Sequence, residues 1–299
     1  YLFTASNLSW LGYDGSLPWP AKIGLALSVG MLGGVGINTA HEMGHKKDSL
    51  ERWLAKITLA QTCYGHFYVE HNRGHHVRVA TPEDPASARF GESFWEFLPR
   101  SVFGSLRSAW RLETQRLRRL NKNPWHPKTY WDNDVLNAWL MSVALWGVLV
   151  AVFGPALIPF VIIQALYGFS LLETVNYLEH YGLLRQKTGS GQSGGRYERC
   201  THQHSWNSDH IVTNLFLYHL QRHSDHHANP TRRYQTLRSI DGSPNLPSGY
   251  ASMITLAYVP PLWRRVMDPR VLAHYDGDIT RVNVHPRRRQ SVLDRYAAA

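Results

Sequence analysis

Residues 135–172 read VLNAWLMSVALWGVLVAVFGPALIPFVIIQALYGFSLL, a run of 38 positions without Asp, Glu, Lys or Arg. A bilayer's hydrocarbon core is crossed by ~20 apolar residues rising ~1.5 Å each, so the run has the length of two spans. Gly154-Pro155, with Pro159 close behind, supplies the turn between them. The run therefore predicts a hairpin of two membrane helices rather than the buried hairpin of a soluble core. Upstream, Ile23 to Ala40 is a second uncharged stretch, of 18 residues. Trp53 to Val69 is weaker, because it holds Lys56 and His66, and is expected to be interfacial or protein-buried. Ile211 to Leu220 and Tyr250 to Trp263 are too short or too Pro-interrupted to span alone.

Around these stretches helix signals dominate. Leu50 to Val69 has apolar residues at helical spacing, and Ser93 to Leu120 reads as a long amphipathic helix ending near Asn121 to Pro124. Gly182 to Asn207 is turn-rich and suits a short hairpin, with a Gly/Ser-rich surface loop at 189–195. The formal charge is +10, and the basic residues gather at Lys46, Lys47, Arg116 to Arg119 and Arg287 to Arg289, outside the apolar runs. Under the positive-inside rule this puts the polar half of the protein in the cytoplasm. The same charge suits anionic lipid headgroups or an acidic protein partner. Nucleic acid fits poorly with membrane runs and 17 histidines. The two cysteines, Cys63 and Cys200, form no Cys-x-x-Cys, which excludes a zinc ribbon, an iron–sulfur cluster or a rubredoxin-like module among these residues.

The chemistry lies in the histidines. His41 and His45 stand in HEMGH, His71, His75 and His76 in HNRGHH, His180 in NYLEHYG, and His223, His226 and His227 in HSDHH. Residues four apart share one helix face, so the pairs His41/His45, His71/His75 and His223/His227 each present two imidazoles to one side. Nine imidazoles exceed the roughly six ligands a first-row ion accepts, and two metal ions are the economical reading. HEMGH also matches H-E-x-x-H, in which two histidines bind zinc and the Glu is a general base. That reading leaves six of the other histidines unexplained. Glu42, Glu70, Asp84, Glu179, Asp209 and Asp225 are the acidic candidates for orienting ligands or balancing metal charge.

At these residues the chain resembles the integral-membrane di-iron hydroxylases and desaturases, whose three histidine boxes correspond to His41–His45, His71–His76 and His223–His227. More narrowly it resembles the alkane 1-monooxygenases, which carry a fourth element, N-Y-x-E-H-Y-G-L, present at Asn176 to Leu183. The likeness runs from about Ile37 to Asp268, through NTAHEMGHKK, GHFYVEHNRGHH, ATPEDPAS and PTRRYQTLR.

The resemblance implies an all-α, polytopic membrane bundle of about six spanning helices, some of them upstream of residue 1. It implies a single catalytic domain over residues 1–299, with 270–299 as a tail, and a di-iron site facing the cytoplasm from the inner membrane. All nine histidines match ligand positions of the family. The implied reaction is terminal hydroxylation of n-alkanes to 1-alkanols with O₂. Electrons would come from rubredoxin, a separate or fused module, through its reductase from NAD(P)H. A fatty-acyl desaturase or hydroxylase shares the three boxes and is the nearer alternative. A histidine-rich membrane metal transporter is the alternative of a different class, although its ligands should line the spans, whereas here they stand at span ends.

Overall fold

The computed structural model describes residues 17–189 and 195–296; most of the Gly/Ser-rich loop read at 189–195, and Ala297 to Ala299, lie outside them. Helix α1 (Trp19–Gly44) opens at Pro18 and runs beyond the uncharged stretch, so His41 is on the helix itself and His45 is its C-cap. Helix α2 (Ser49–Ala60) begins at Asp48, whose side chain accepts the Leu50 and Glu51 amides. The single helical stretch expected over 50–69 is broken after α2. Cys63 takes a positive φ of 54°, and Gly65 lies so close to Ala138 that a Cβ there would meet the Ala138 Cβ at 2.7 Å.

The chain resumes as α3 (Phe67–Glu70), a π-helix over His71–His75, and α4 (His76–Arg78). Helix α5 (Phe94–Arg119) follows, within one residue of expectation at each end. Ser93 and Glu96 form its reciprocal cap, the Glu96 amide donating to Ser93 Oγ and the Ser93 amide to Glu96 Oε2. The uncharged run becomes α6 (Asp134–Phe153) and α7 (Ile158–His180), turning at Gly154 with φ +86° and Pro155. His180 is the last residue of α7, because no breaker interrupts the chain between the uncharged run and Gly182. Three helices, Trp19–Gly44, Asp134–Phe153 and Pro155–His180, are long and apolar enough to cross a membrane.

Strands β1 (Lys187–Thr188) and β2 (Arg196–Tyr197) make the short antiparallel hairpin that the turn-rich stretch suggested. The remaining helices are α8 (Ile211–Phe216), α9 (His223–Ala228), α10 (Tyr250–Ala257), α11 (Pro260–His274) and α12 (Arg289–Tyr296). The described chain is thus all-α apart from that hairpin.

These elements form two compact units, and the division falls inside the π-helix, α5 and α7. The first holds residues 17–72 and 106–172. Here α1 and α7 pack backbone to backbone, as membrane helices do when small residues line the contact. A Cβ on Gly30 would meet the Gln164 carbonyl oxygen at 2.6 Å, and one on Gly168 would meet the Gly30 carbonyl oxygen at 3.0 Å. Polar side chains of the hairpin are absorbed by the α2–α3 turn: Trp146 Nε1 and Gln164 Nε2 both donate to the Gln61 carbonyl, at 3.0 and 2.8 Å. Buried Lys56 reaches Asp134 and Asn137, while buried Glu113 accepts the Asp134 amide and two Arg116 donors, tying the start of α6 to α2 and α5.

A Gly30→Leu protein is expected to lose about 3 kcal/mol or more of stability, since overpacking against backbone finds no rotamer to yield. Gly24→Leu, with open space around it, should be close to neutral. Thermal unfolding in detergent compares the two.

The second unit holds residues 73–105, 173–189 and 195–296. Its core joins Phe90, Phe94, Phe97, Tyr177, Tyr181, Trp206, Tyr250, Met253, Trp263 and Met267. Val271, Tyr275, Ile279, Val282 and Val284 belong to that core too, so residues 271–284 are structural. Gly182, at φ +75° with Val271 Cγ1 at 2.8 Å from a notional Cβ, turns the chain directly after the histidine that ends α7.

Candidate metal centre

In the second unit His75, His180, His223 and His227 converge. All four are buried, and one ligand atom from each lies within 4.8 Å of the others. His223 Nε2 stands 2.9 Å from His227 Nε2, 3.3 Å from His180 Nε2 and 3.1 Å from Glu179 Oε2. Two nitrogens at right angles, each ~2.1 Å from one ion, are about 3.0 Å apart. The observed separations are those of imidazoles sharing a cation.

Proton accounting supports this. His180 Nδ1 faces the His204 carbonyl at 3.4 Å, and a carbonyl only accepts, so Nδ1 carries the proton and Nε2 offers its lone pair. His75 Nδ1 faces Asp84 Oδ2 at 2.9 Å. Burial would push the Asp84 carboxyl up, but His75 and the Ser87 hydroxyl outweigh it and hold it down at about 2. Asp84 is thus an anion, His75 Nδ1–H donates to it, and His75 Nε2 is left for a metal. Burial, with the neighbouring histidines, holds His227 neutral by drawing its pKa well below the usual range. The residues fit a transition-metal ion.

Alongside, in the same unit, His76 and His226 bring their Nε2 atoms to 3.2 Å. In the first unit His41, His45 and His71 form a trio with ring centroids 4.4 to 5.0 Å apart and His71 Nε2 at 3.0 Å from His45 Nε2.

The expectation that His71 and His75 serve one face is corrected. They sit at the two ends of a π-helix, whose wider turn rotates residues four apart out of register; such turns recur at functional sites. His71 joins His41 and His45, and His75 joins His180, His223 and His227. The other two pairs behave as spaced, His41/His45 at the end of α1 and His223/His227 within α9.

The acidic candidates divide. Asp84 and Glu179 touch histidines of the nest, and Glu179 Oε1 also accepts the Tyr250 hydroxyl at 2.7 Å. Asp225 is buried beneath α9, where it pairs with Arg232 at 2.6 Å and accepts the Arg238 amide. It fixes the helix end bearing His226 and His227. Glu70 is buried, Glu42 pairs with Lys46 at 2.7 Å, and Asp209 is exposed and accepts the Ser239 hydroxyl. Tyr250 and the His204 carbonyl are positioning groups that no spacing announces, since each lies far in sequence from the side chain it serves, whereas Ser87 stands three residues from Asp84.

The fatty acid desaturase family profile matches residues 17–257. The chain is 52% identical over 275 residues to the alkane 1-monooxygenase of Acinetobacter baylyi, covering 92% of this chain and 65% of that protein. It is 46% identical to the alkane 1-monooxygenase of Pseudomonas putida, covering 96% and 69%. The hydroxylase component of a xylene/toluene monooxygenase from Pseudomonas putida is 27% identical, covering 85% and 65%. The chain spans about two thirds of the length of these curated relatives. With three helices fit to cross a bilayer, it is a membrane protein. The chain belongs to the fatty acid desaturase family and, within it, to the alkane 1-monooxygenases.

Proposed function

We propose that this chain hydroxylates the terminal methyl of medium- to long-chain n-alkanes, giving 1-alkanols, at two iron ions held by His41, His45, His71, His75, His76, His180, His223, His226 and His227. The observation that carries the reading is the buried nest of His75, His180, His223 and His227, found in a chain about half identical to alkane 1-monooxygenases. One iron belongs in that nest, and the remaining histidines of the set are available to the second. Bound iron would supply the activation of O₂, with two electrons and two protons consumed and one oxygen atom leaving as water.

The protein's own residues do the rest. Asp84 and the His204 carbonyl fix the tautomers of His75 and His180. Glu179, held by Tyr250, places a carboxylate on His223. Burial of all four imidazoles keeps water from the nest. The apolar stretches 23–40 and 135–172 are the proposed source of an end-on slot for the alkane, where orientation favours the strong methyl C–H over weaker internal bonds. The reductant is proposed to be rubredoxin, recharged by its reductase from NAD(P)H, on the cytoplasmic side of the inner membrane.

The test is product identification. Membranes containing the protein, with rubredoxin, its reductase and NADH, receive n-alkanes and fatty-acyl substrates under ¹⁸O₂. A labelled 1-alkanol is expected. Unsaturated or internally oxidised acyl products, with the alkanes untouched, would transfer the chain to the desaturase–hydroxylase branch.

A further inference from the structure

The element NYLEHYG contains two tyrosines, Tyr177 and Tyr181, that the metal chemistry above does not use. Both are completely buried, and both pack on Trp263, at centroid distances of 5.0 and 5.3 Å. Tyr177 continues to Phe94 at 5.9 Å, Phe94 to Tyr258 at 5.2 Å and to Trp95 at 5.3 Å, and Tyr258 stacks on Trp95 at 5.7 Å. Trp95 is 56% exposed. One end of this file of rings is a single peptide bond from His180, and the other is at the surface, all within the second unit.

Aromatic packing alone would account for a cluster, but not for how its polar atoms are arranged. Tyrosine and tryptophan are the side chains most easily oxidised by one electron, and a tyrosine yields its electron readily only when a base takes the phenolic proton. Tyr181 has such a base: its hydroxyl donates to Asp268 Oδ1 at 2.8 Å and accepts the Gly91 amide at 2.9 Å. Burial raises the Asp268 carboxyl to about 6, close to where it can hold a proton and return it. Tyr177 has none, because its hydroxyl donates to the Glu92 backbone carbonyl at 2.7 Å. The Trp263 indole N–H is buried without an acceptor, so Trp263 can lose and regain an electron without moving a proton.

We propose that Tyr181, Trp263 and Trp95, bridged by the rings of Tyr177, Phe94 and Tyr258, form a one-electron relay from the protein surface to the helix end that carries His180. The proposal rests on a metal centre at His180 as the electron's destination. In each cycle Tyr181 gives one electron toward His180 and its phenolic proton to Asp268. Trp263 then gives one electron to the tyrosyl radical, and the proton returns from Asp268 to the phenolate oxygen. The Trp263 radical cation is refilled by Trp95 across Tyr177, Phe94 and Tyr258, which serve only as bridging rings, and a one-electron reductant in solution refills Trp95. One electron crosses, with no net proton movement.

The relay is testable on the full chain in detergent, without bound metal, using flash-oxidised ruthenium tris-bipyridine with persulfate as oxidant. The hole should enter at Trp95 and settle as a neutral tyrosyl radical on Tyr181, the station with a proton acceptor. Transient absorption and EPR separate it from tryptophanyl radicals. Tyr181→Phe and Asp268→Asn should abolish the fast tyrosyl signal. Trp263→Phe should slow its formation about ten-fold or more, one decade corresponding to ~1.4 kcal/mol of added barrier. Trp95→Phe, which leaves the core untouched, should do the same by closing the entrance, and covers the case in which Trp263→Phe fails to fold. Unchanged formation in Trp95→Phe, or a tyrosyl signal that survives Tyr181→Phe, would overturn the relay. The flash experiment needs no iron, so its failure and a failure of the di-iron reading are separate results.

Discussion

A His227→Ala protein is expected to reach the membrane in normal amount, to bind less metal than the parent protein, and to retain no measurable turnover. His227 Nε2 lies 2.9 Å from His223 Nε2, and its ring lies 4.9 Å from that of His75 and 5.2 Å from that of His180, so it contributes to the middle of the nest rather than its rim. Removing one imidazole leaves three, with a hole that water fills, and a site built for four nitrogens loses both affinity and geometry. The apolar helices that insert in the membrane do not depend on it. Elemental analysis of purified protein, beside turnover and membrane content, makes the check. The His126→Ala protein, altered at an exposed position, serves as control and should keep the parent metal content. Full metal content and activity in His227→Ala would remove the nest from the mechanism.

The second large effect is expected at Asp84, the carboxylate that faces His75 Nδ1. Its carboxylate accepts the His75 Nδ1–H at 2.9 Å, the Ser87 hydroxyl at 2.6 Å and the Ala86 amide at 3.2 Å, and it is fully buried. Asp84→Asn keeps the shape but loses the charge, and its amide lets the His75 ring turn or change tautomer. Loss of such an outer partner typically costs about 10- to 100-fold in metal affinity. Competition against a chelator measures that directly. Asp84→Ala should fall further, because it also strands the Ser87 hydroxyl and the Ala86 amide in a buried place. An Asp84→Asn protein with unchanged metal affinity would show that His75 is held by packing alone.

Much of this was legible locally. The absence of charge over 135–172, with Gly154-Pro155 in its middle, names a helical hairpin because no soluble element needs so long an apolar run. The amphipathic spacing over Ser93 to Leu120, ended near Asn121 to Pro124, places α5 to within a residue at each end. Four-residue spacing at His41/His45 and His223/His227 works because a helix returns to the same face after about one turn. Those signals depend on neighbours in sequence, and the sequence carries them openly.

The rest was decided by partners far apart along the chain. Nothing in HNRGHH announces a π-helix, yet that one widened turn assigns His71 and His75 to different histidine groups. The break after Ala60 follows from the close approach of Gly65 to Ala138, a contact between segments some 70 residues apart. Glu179 and Asp84 look like any other acids until the fold brings His223 and Tyr250 to one and turns His75 onto the other, while Asp209, equally eligible by position, ends in solvent. The sequence by itself determined the membrane helices, the family and the identity of the nine imidazoles, since these follow from composition and short-range period. Which imidazoles gather in one nest, and which carboxylates face them, only the tertiary structure decided, because lone-pair direction and burial depend on backbone paths that no local period encodes.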